Sequence, residues 1–269
     1  MEQLAQAVAR LQGLSLEQLD AAWPSTSRHD AKFLMSQAEL LNLMLALGDQ
    51  VTVLEIAGRR SFTYKTEYFD TADRVMYLHH VQKRPRRIKI RERSYTDSGL
   101  TQLEIKAREG TSQTHKLVLL NSHGLDERSR SFVREHVRTE PSDPQFSDTF
   151  DVLPDDDRPN YLASSALTHF TRMTLFVPSS TEKITIDLNL TLEVDGQIVH
   201  ANPDIALVEV KSQTATSHTV TQLRRLGLHP TQFSKYCSAI DLLASPRPRV
   251  HTRRTLERFF ATTSHELTN

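Results

Sequence analysis

The chain of 269 residues holds a single cysteine, Cys237, so no internal disulfide can form and nothing points to an oxidising compartment. It also lacks any apolar run near the roughly 18 residues needed to span a bilayer. The opening stretch MEQLAQAVARLQGL has no uninterrupted apolar core of the signal-peptide kind. A soluble, cytoplasmic protein is the expectation. An excess of either charge is missing as well: Lys plus Arg and Asp plus Glu both count 33, for a formal net charge of zero. Proteins that coat nucleic acid usually carry a basic surplus, so that class is disfavoured. What is present is 38% apolar and 25% charged residues, enough for a sizeable core and against disorder as the dominant state.

Leu4, Val8, Leu11, Leu14, Leu16 and Leu19 recur at near-helical spacing with Gly13 between them, which predicts two short helices ending before Trp23-Pro24. Residues 1–24 read as a helical appendage, 25–245 as the main domain and 246–269 as a basic tail carrying Arg247, Arg249, Arg253 and Arg254, expected to be partly mobile. Arg28–Met35 reads as a strand; Ser36 with Glu39 forms a capping box for a helix to Leu47, closed by Gly48. Period-two patterns predict strands at Ser61–Tyr68, Val75–Val81, Arg86–Tyr95, Thr101–Arg108, His115–Leu120, Ala166–Val177, Lys183–Val194, Gln197–Ala201 and Ala206–Gln213, with Asp195-Gly196 as a hairpin turn. Helices are expected at 125–138, Ser217–Leu226 and Ser234–Ala244, and a loop at 141–160, which holds four prolines and six aspartates. Many strands joined by hairpins predict an α+β fold: a largely antiparallel sheet, closed or nearly so, with helices outside.

The strand faces carry the chemistry. Residues two apart in a strand point to one side, so Arg87, Lys89, Arg91 and Arg93 share a face while Ile88 and Ile90 take the other. Four cations in a row repel unless an anion sits among them; a positively guarded edge strand is the alternative for this segment alone. The pattern returns in Leu103-Glu-Ile-Lys106 and Val208-Glu-Val-Lys211, in Ile184-Thr-Ile-Asp-Leu188, and at Arg172. An apolar face backed by a short ionic one suits a barrel with a wet, charged lumen and helices outside. Arg binds phosphate oxygens in bidentate fashion and Lys as a point charge. A divalent metal needs carboxylates beside them; Glu209 is the first candidate ligand and Asp187 the second, whereas Glu104 fits an ion pair with a neighbouring cation at least as well. Phe233-Ser-Lys-Tyr236 opens a helix with Ser234 as cap and Lys235 beside it, either a further anion site or a plain capped helix.

Eight pieces in order resemble the VTC domain, the polyphosphate polymerase family of the triphosphate tunnel metalloenzyme superfamily: Arg28-His-Asp-Ala-Lys-Phe33, Tyr68-Phe-Asp-Thr71, Lys89-Ile-Arg-Glu-Arg-Ser-Tyr95, Leu103–Lys106, Phe170-Thr-Arg172, Ile184–Asp187, Val208–Lys211 and Phe233–Tyr236. The resemblance implies an eight-stranded antiparallel β-barrel tunnel that binds ATP and inorganic polyphosphate and moves the ATP γ-phosphate onto the chain end without a protein nucleophile. It assigns Lys32, Arg91, Arg93, Lys106, Arg172 and Lys235 to phosphates, with Arg28, Lys89 and Lys211 assisting, and Glu209 to Mn²⁺ or Mg²⁺. This chain departs from the pattern at Asp30 and Phe33, where relatives carry Glu and Tyr, and at His79-His80, where some polymerases carry an arginine. Hydrolysis of a triphosphate in the same tunnel and non-catalytic polyphosphate binding are the competing readings.

Overall fold

The computed structural model describes residues 2–23, 29–48, 51–109, 113–137, 161–214, 217–245 and 250–260. In chain order they form α1 (Glu2–Ala9), β1 (Gln12–Leu14), α2 (Leu16–Ala22), β2 (His29–Ser36), α3 (Gln37–Leu47), β3 (Thr52–Leu54), β4 (Phe62–Asp70), α4 (Val75–Val81), β5 (Arg87–Tyr95), β6 (Leu100–Glu109), β7 (Gln113–Leu120) and α5 (Glu127–Val137). There follow β8 (Ala163–Val177), β9 (Glu182–Val194), β10 (Gln197–His200), β11 (Ile205–Ser212), α6 (His218–Arg225), α7 (Lys235–Leu243) and α8 (Val250–Phe260). The fold is α+β, as the alternation predicted. Arg28 and the 141–160 segment lie outside the described residues.

All strands belong to one sheet whose main path runs β2-β11-β9-β8-β4-β5-β6-β7, and every step along it is antiparallel. No ladder joins β2 to β7 among the described residues, so the eight-strand path is not closed by backbone hydrogen bonds. Electrostatics spans the seam instead: the charges of Asp30 on β2 and Glu209 on β11 both act on Lys106 of β6.

Local chemistry sets the joints. Ser36 caps α3 and exchanges bonds with Glu39, and Gly48 ends the helix at φ 68°, a left-handed value that suits a residue without Cβ. Asp195 and Gly196 both take positive φ, 51° and 78°, the geometry that joins β9 to β10 as a tight hairpin. Asn189 sits at φ 52° where the β8–β9 register slips. Past this bulge the inward set on β9 changes from the even-numbered Leu190 and Leu192 to the odd-numbered Asp187 and Thr185.

Two apolar clusters coat the outer face. One joins α1, α3 and α6 to Phe33, Met35, Met173, Leu175, Ile184, Ile186, Val208 and Val210. The other seats Val133 and Val137 of α5 on Ile88, Ile90, Leu103 and Ile105. Half of the inner face is apolar too: Tyr64, Tyr68, Phe170, Leu190 and Leu192 pack with α7 and α8 through Tyr236, Ile240, Leu256 and Phe259. The remaining half is ionic. The appendage is fixed to the body by the β1–β3 parallel pair and by Arg60, whose guanidinium donates to the carbonyls of Val8, Ala9 and Leu11.

One expectation needs correction. Val75–Val81 is α4, not a strand: the buried Asp70 carboxylate accepts the amides of Met76 and Tyr77, and Thr71 Oγ1 accepts that of Val75, so a preceding side chain satisfies the helix start. Within the segment after Pro246, Val250–Phe260 form α8, with Leu256, Phe259 and Phe260 buried in the cluster that holds α7. No helix among the described residues is long and apolar enough to cross a membrane.

Candidate functional site

The ionic half of the inner face gathers at least nine cations (Lys32, Lys89, Arg91, Arg93, Lys106, Lys116, Arg172, Lys211, Lys235) with four carboxylates (Asp30, Glu104, Asp187, Glu209), and register extends the same face to Arg87, Arg108 and Lys183. Strand register produces the grouping. Lys89 stands opposite Lys106 and Lys106 opposite Lys116; Arg91 stands opposite Glu104, Lys32 opposite Glu209, and Arg172 opposite Asp187. Like charges directly opposed across strands destabilise a sheet unless something neutralises them.

Glu104, 1% exposed, accepts from Arg91 at 2.5 and 2.6 Å, from Lys116 at 2.8 Å and from Arg93 at 3.4 Å. Burial alone would raise its pKa, but Arg91, Arg93 and Lys116 together hold it far below the usual carboxylate range. Arg91 is also buried, which disfavours its charge; Glu104 and Tyr68 reverse that and raise its pKa.

Asp187 accepts from Arg172 Nε at 2.6 Å and Nη2 at 2.8 Å, a two-pronged pair, and pairs also with Lys235 Nζ. Burial opposes its ionisation, yet Arg172 and Lys235 pull its pKa down to about 2. Both cations lie on aromatic faces: Arg172 is 5.1 Å from the centroids of Tyr64 and Phe170, and Lys235 is 4.2 Å from that of Phe170. Ser234 caps α7 by accepting the amide of Cys237, and this places Lys235 at the helix start.

Glu209 is held by Lys32 at 3.1 Å and Lys211 at 3.2 Å. Its side chain keeps 17% exposure, against 1% for Glu104 and 3% for Asp187. Burial works against its charge; Lys211, Lys32 and Arg172 keep it ionised. Lys89 and Lys106 form no ion pair within 4 Å among the described residues. Lys89 donates to Ser234 Oγ at 3.2 Å, and burial lowers its pKa to about 8. His80 of α4 sits beside it; burial first, then the Lys89 charge, drive its pKa down to about 3, so the ring is neutral near pH 7. Its Nδ1 lies 3.0 Å from the Met76 carbonyl. His80 thus adds no charge beside Lys89.

The structure brings Lys32, Lys89, Arg91, Arg93, Lys106, Arg172, Asp187, Glu209, Lys211 and Lys235 onto one face. Arg28 lies outside the described residues. Sequence reading missed Lys116, whose signal was a lone cation immediately before the apolar run Leu117–Leu120, opposite Lys106. It also gave no role to Asp70, which accepts the Tyr236 hydroxyl at 2.5 Å while Tyr77 donates to Asp241 at 2.5 Å. These two bonds tie β4, α4 and α7 together and so fix the helix that presents Lys235.

Among the described residues, no three Asp, Glu, His or Cys side chains converge as a metal cage. The donor set does suit a cation shared with a ligand, since Mg²⁺ is usually held by one or two carboxylates with phosphates and water completing the shell. Glu209, ionised and the most open of the three buried-side carboxylates, has that chemistry. Asp187 has both oxygens covered by Arg172 and Lys235.

Among solved structures, the chain is similar to a putative adenylate cyclase from Bacillus halodurans, at 12% identity and a TM-score of 0.47, over 82% of this chain and 100% of that one. It is similar to one from Vibrio parahaemolyticus at 11% identity and a TM-score of 0.45, over 78% and 96%. A putative adenylyl cyclase from Hippeastrum, described as having a dominant triphosphatase activity, matches at 14% identity and a TM-score of 0.47, over 82% and 98%. No curated protein matches the chain. The family model of the VTC domain matches residues 27–244, the segment that contains every inner-face ionic residue described above. The chain is therefore a member of the VTC domain family.

Proposed function

We propose that the protein is a metal-dependent phosphotransferase that moves the γ-phosphate of ATP onto the end of a polyphosphate chain. The observation that carries this reading is the charge imbalance on the inner face, where at least nine cations meet four carboxylates and two lysines have no carboxylate within 4 Å among the described residues. Such a surplus suits a ligand with several adjacent negative charges, and little else would stabilise Lys89 against Lys106. Phosphoryl transfer asks the protein chiefly for positioning and for neutralising charge on the transferring group.

Roles follow from position. Arg91, Arg93, Lys106 and Arg172 surround the transferring phosphate, while Lys32, Lys89, Lys211 and Lys235 hold its neighbours. A terminal oxygen of the acceptor chain attacks the γ-phosphorus, the bond from that phosphorus to the β–γ bridging oxygen breaks, and ADP leaves with the electron pair. Glu104 and Asp187 keep their arginines extended into the lumen, and Tyr64 and Phe170 support Arg172 from behind. Glu209 would hold one Mn²⁺ or Mg²⁺, which when bound supplies further neutralisation of phosphate oxygens.

Incubating the purified protein with ATP and Mn²⁺ and resolving the products tests this. Long polyphosphate plus ADP is the expected result. Release of free phosphate alone would replace the polymerase by a hydrolase of the same lumen, and no turnover despite triphosphate binding would overturn both enzyme readings.

A further inference from the structure

Three buried polar atoms on one wall of the lumen have no hydrogen-bond partner among the described residues. Thr66 on β4 and Thr168 on β8 face each other in register, and Thr66 also stands opposite Arg93 on β5. The two threonines are 1% and 0% exposed, and neither Oγ1 forms a hydrogen bond; the same holds for the Nε of Arg93. Each such group costs about 1–3 kcal/mol when buried unmet. Three in adjacent register positions are uncommon in a native interior, where nearly all buried polar side chains find partners. Threonine hydroxyls usually satisfy themselves on nearby carbonyls, so two opposed ones that do not are directed at something else.

Resting on the phosphate reading above, we propose that the hydroxyls of Thr66 and Thr168, with the Arg93 Nε–H beside them, form a donor subsite that takes an oxygen of a bound triphosphate or longer phosphate chain. The three donors stand side by side on adjacent strands, and a tetrahedral phosphate presents oxygens that can accept from more than one of them. Access is governed by Arg93. Its 3.4 Å contact with Glu104 is the longest of the ion pairs on that carboxylate, which Arg91 and Lys116 continue to satisfy at 2.5 and 2.8 Å. An anion in the lumen can thus draw the Arg93 guanidinium off Glu104 without leaving the carboxylate unpaired, and a shift of Arg93 would open the position opposite Thr66. The wall then recognises phosphate by hydroxyl donors as well as by charge. That makes part of the affinity insensitive to salt, since neutral donors exchange no counterions.

The test uses calorimetric binding of inorganic triphosphate to the full chain and to Thr66→Val, Thr168→Val and Thr66→Ser. Valine keeps the shape and removes the hydroxyl; serine keeps the hydroxyl. Each valine variant is expected to bind about tenfold more weakly, with its melting temperature unchanged or raised because an unmet buried hydroxyl is gone. Thr66→Ser should restore binding to within about threefold. Turnover assays should show the loss in KM rather than kcat. Unchanged affinity in both valine variants, with the unaltered chain binding triphosphate normally, overturns the subsite and leaves the phosphate lumen standing. Failure of the unaltered chain to bind triphosphate overturns the subsite together with the reading it rests on.

Discussion

Leu103-Glu-Ile-Lys106 on β6 and Val208-Glu-Val-Lys211 on β11 are the same pattern of apolar, acid, apolar, base, and both turn their ionic residues to the inner face. Their glutamates nevertheless meet different surroundings. Glu104 is 1% exposed and saturated by two arginines and a lysine, one of them gripping through two nitrogens. Glu209 keeps 17% exposure and is held by two lysines alone. Arginine pairs in a planar fork that fixes a carboxylate, whereas lysine approaches as a mobile point charge. The first glutamate is therefore a strut for the arginines, and the second, on the proposed reading, is where a further cation would bind. A tetrapeptide pattern sets the face; the opposite strand sets the role.

The largest expected effect breaks the comparison at its functional end. Glu209→Ala should lower metal-dependent turnover at least about a hundredfold, while its loss of stability, followed by thermal melting, stays smaller than that of Glu104→Gln. Turnover retained in Glu209→Ala would remove the metal role.

Glu104→Gln should do the reverse. It strips the shared counter-charge from Arg91, Arg93 and Lys116 in a buried place, which costs about 3 kcal/mol of folding stability. In a denaturant titration the midpoint should fall at unchanged slope. A variant as stable as the original would mean that Glu104 is not a strut.

The acid end of the stability curve sharpens the contrast further. The folded-state pKa of Asp187 lies near 2, below its ordinary value of 3.8, so the stabilisation is complete above that ordinary value and is lost as pH falls toward 2. Its share is roughly 2 kcal/mol. Asp187→Asn should flatten the stability profile in that window, and an unaltered profile would deny the pair with Arg172 and Lys235 any role in folding.

A smaller effect concerns the two lysines without carboxylate partners. Lys89 has a pKa near 8 because it is buried, so it is charged below that pH and neutral above it. The pKa of Lys106 is likewise lowered to about 8, so triphosphate affinity should fall as pH rises through 8. Arginine at both positions should remove most of that dependence while Lys89→Arg alone removes only part, since arginine stays charged. Lys106→Ala should weaken binding about tenfold below pH 8 and make the decline above it shallower. A flat profile in the unaltered protein would mean that Lys89 does not meet the anion.

Much of this was legible in the sequence because a strand repeats every two residues. Arg87 to Arg93, Leu103 to Lys106 and Val208 to Lys211 could be sorted into faces from spacing, and the observed burial follows that sorting. Helices with a local start signal were equally readable, α3 from Ser36 and Glu39, α7 from Ser234. Val75–Val81 was misread because its apolar, aromatic and branched residues fit a short strand, while its helix start is satisfied by Asp70, five residues upstream of the first helical residue. Lys116 was overlooked because one lysine in an apolar strand carries no pattern of its own.

The sequence by itself determined the long strands, which of their side chains share a face, and that this face is ionic, since pleat geometry and apolar burial act within each segment. Only the tertiary structure decided the pairings across it. The bulge at Asn189 turned Asp187 inward to Arg172, register set Arg91 on Glu104 and Thr66 on Thr168, and the Asp70–Tyr236 bond carried Lys235 to Asp187. Those pairings join residues far apart in the chain, and charge neutralisation depends on distance in space, to which spacing along one strand is blind.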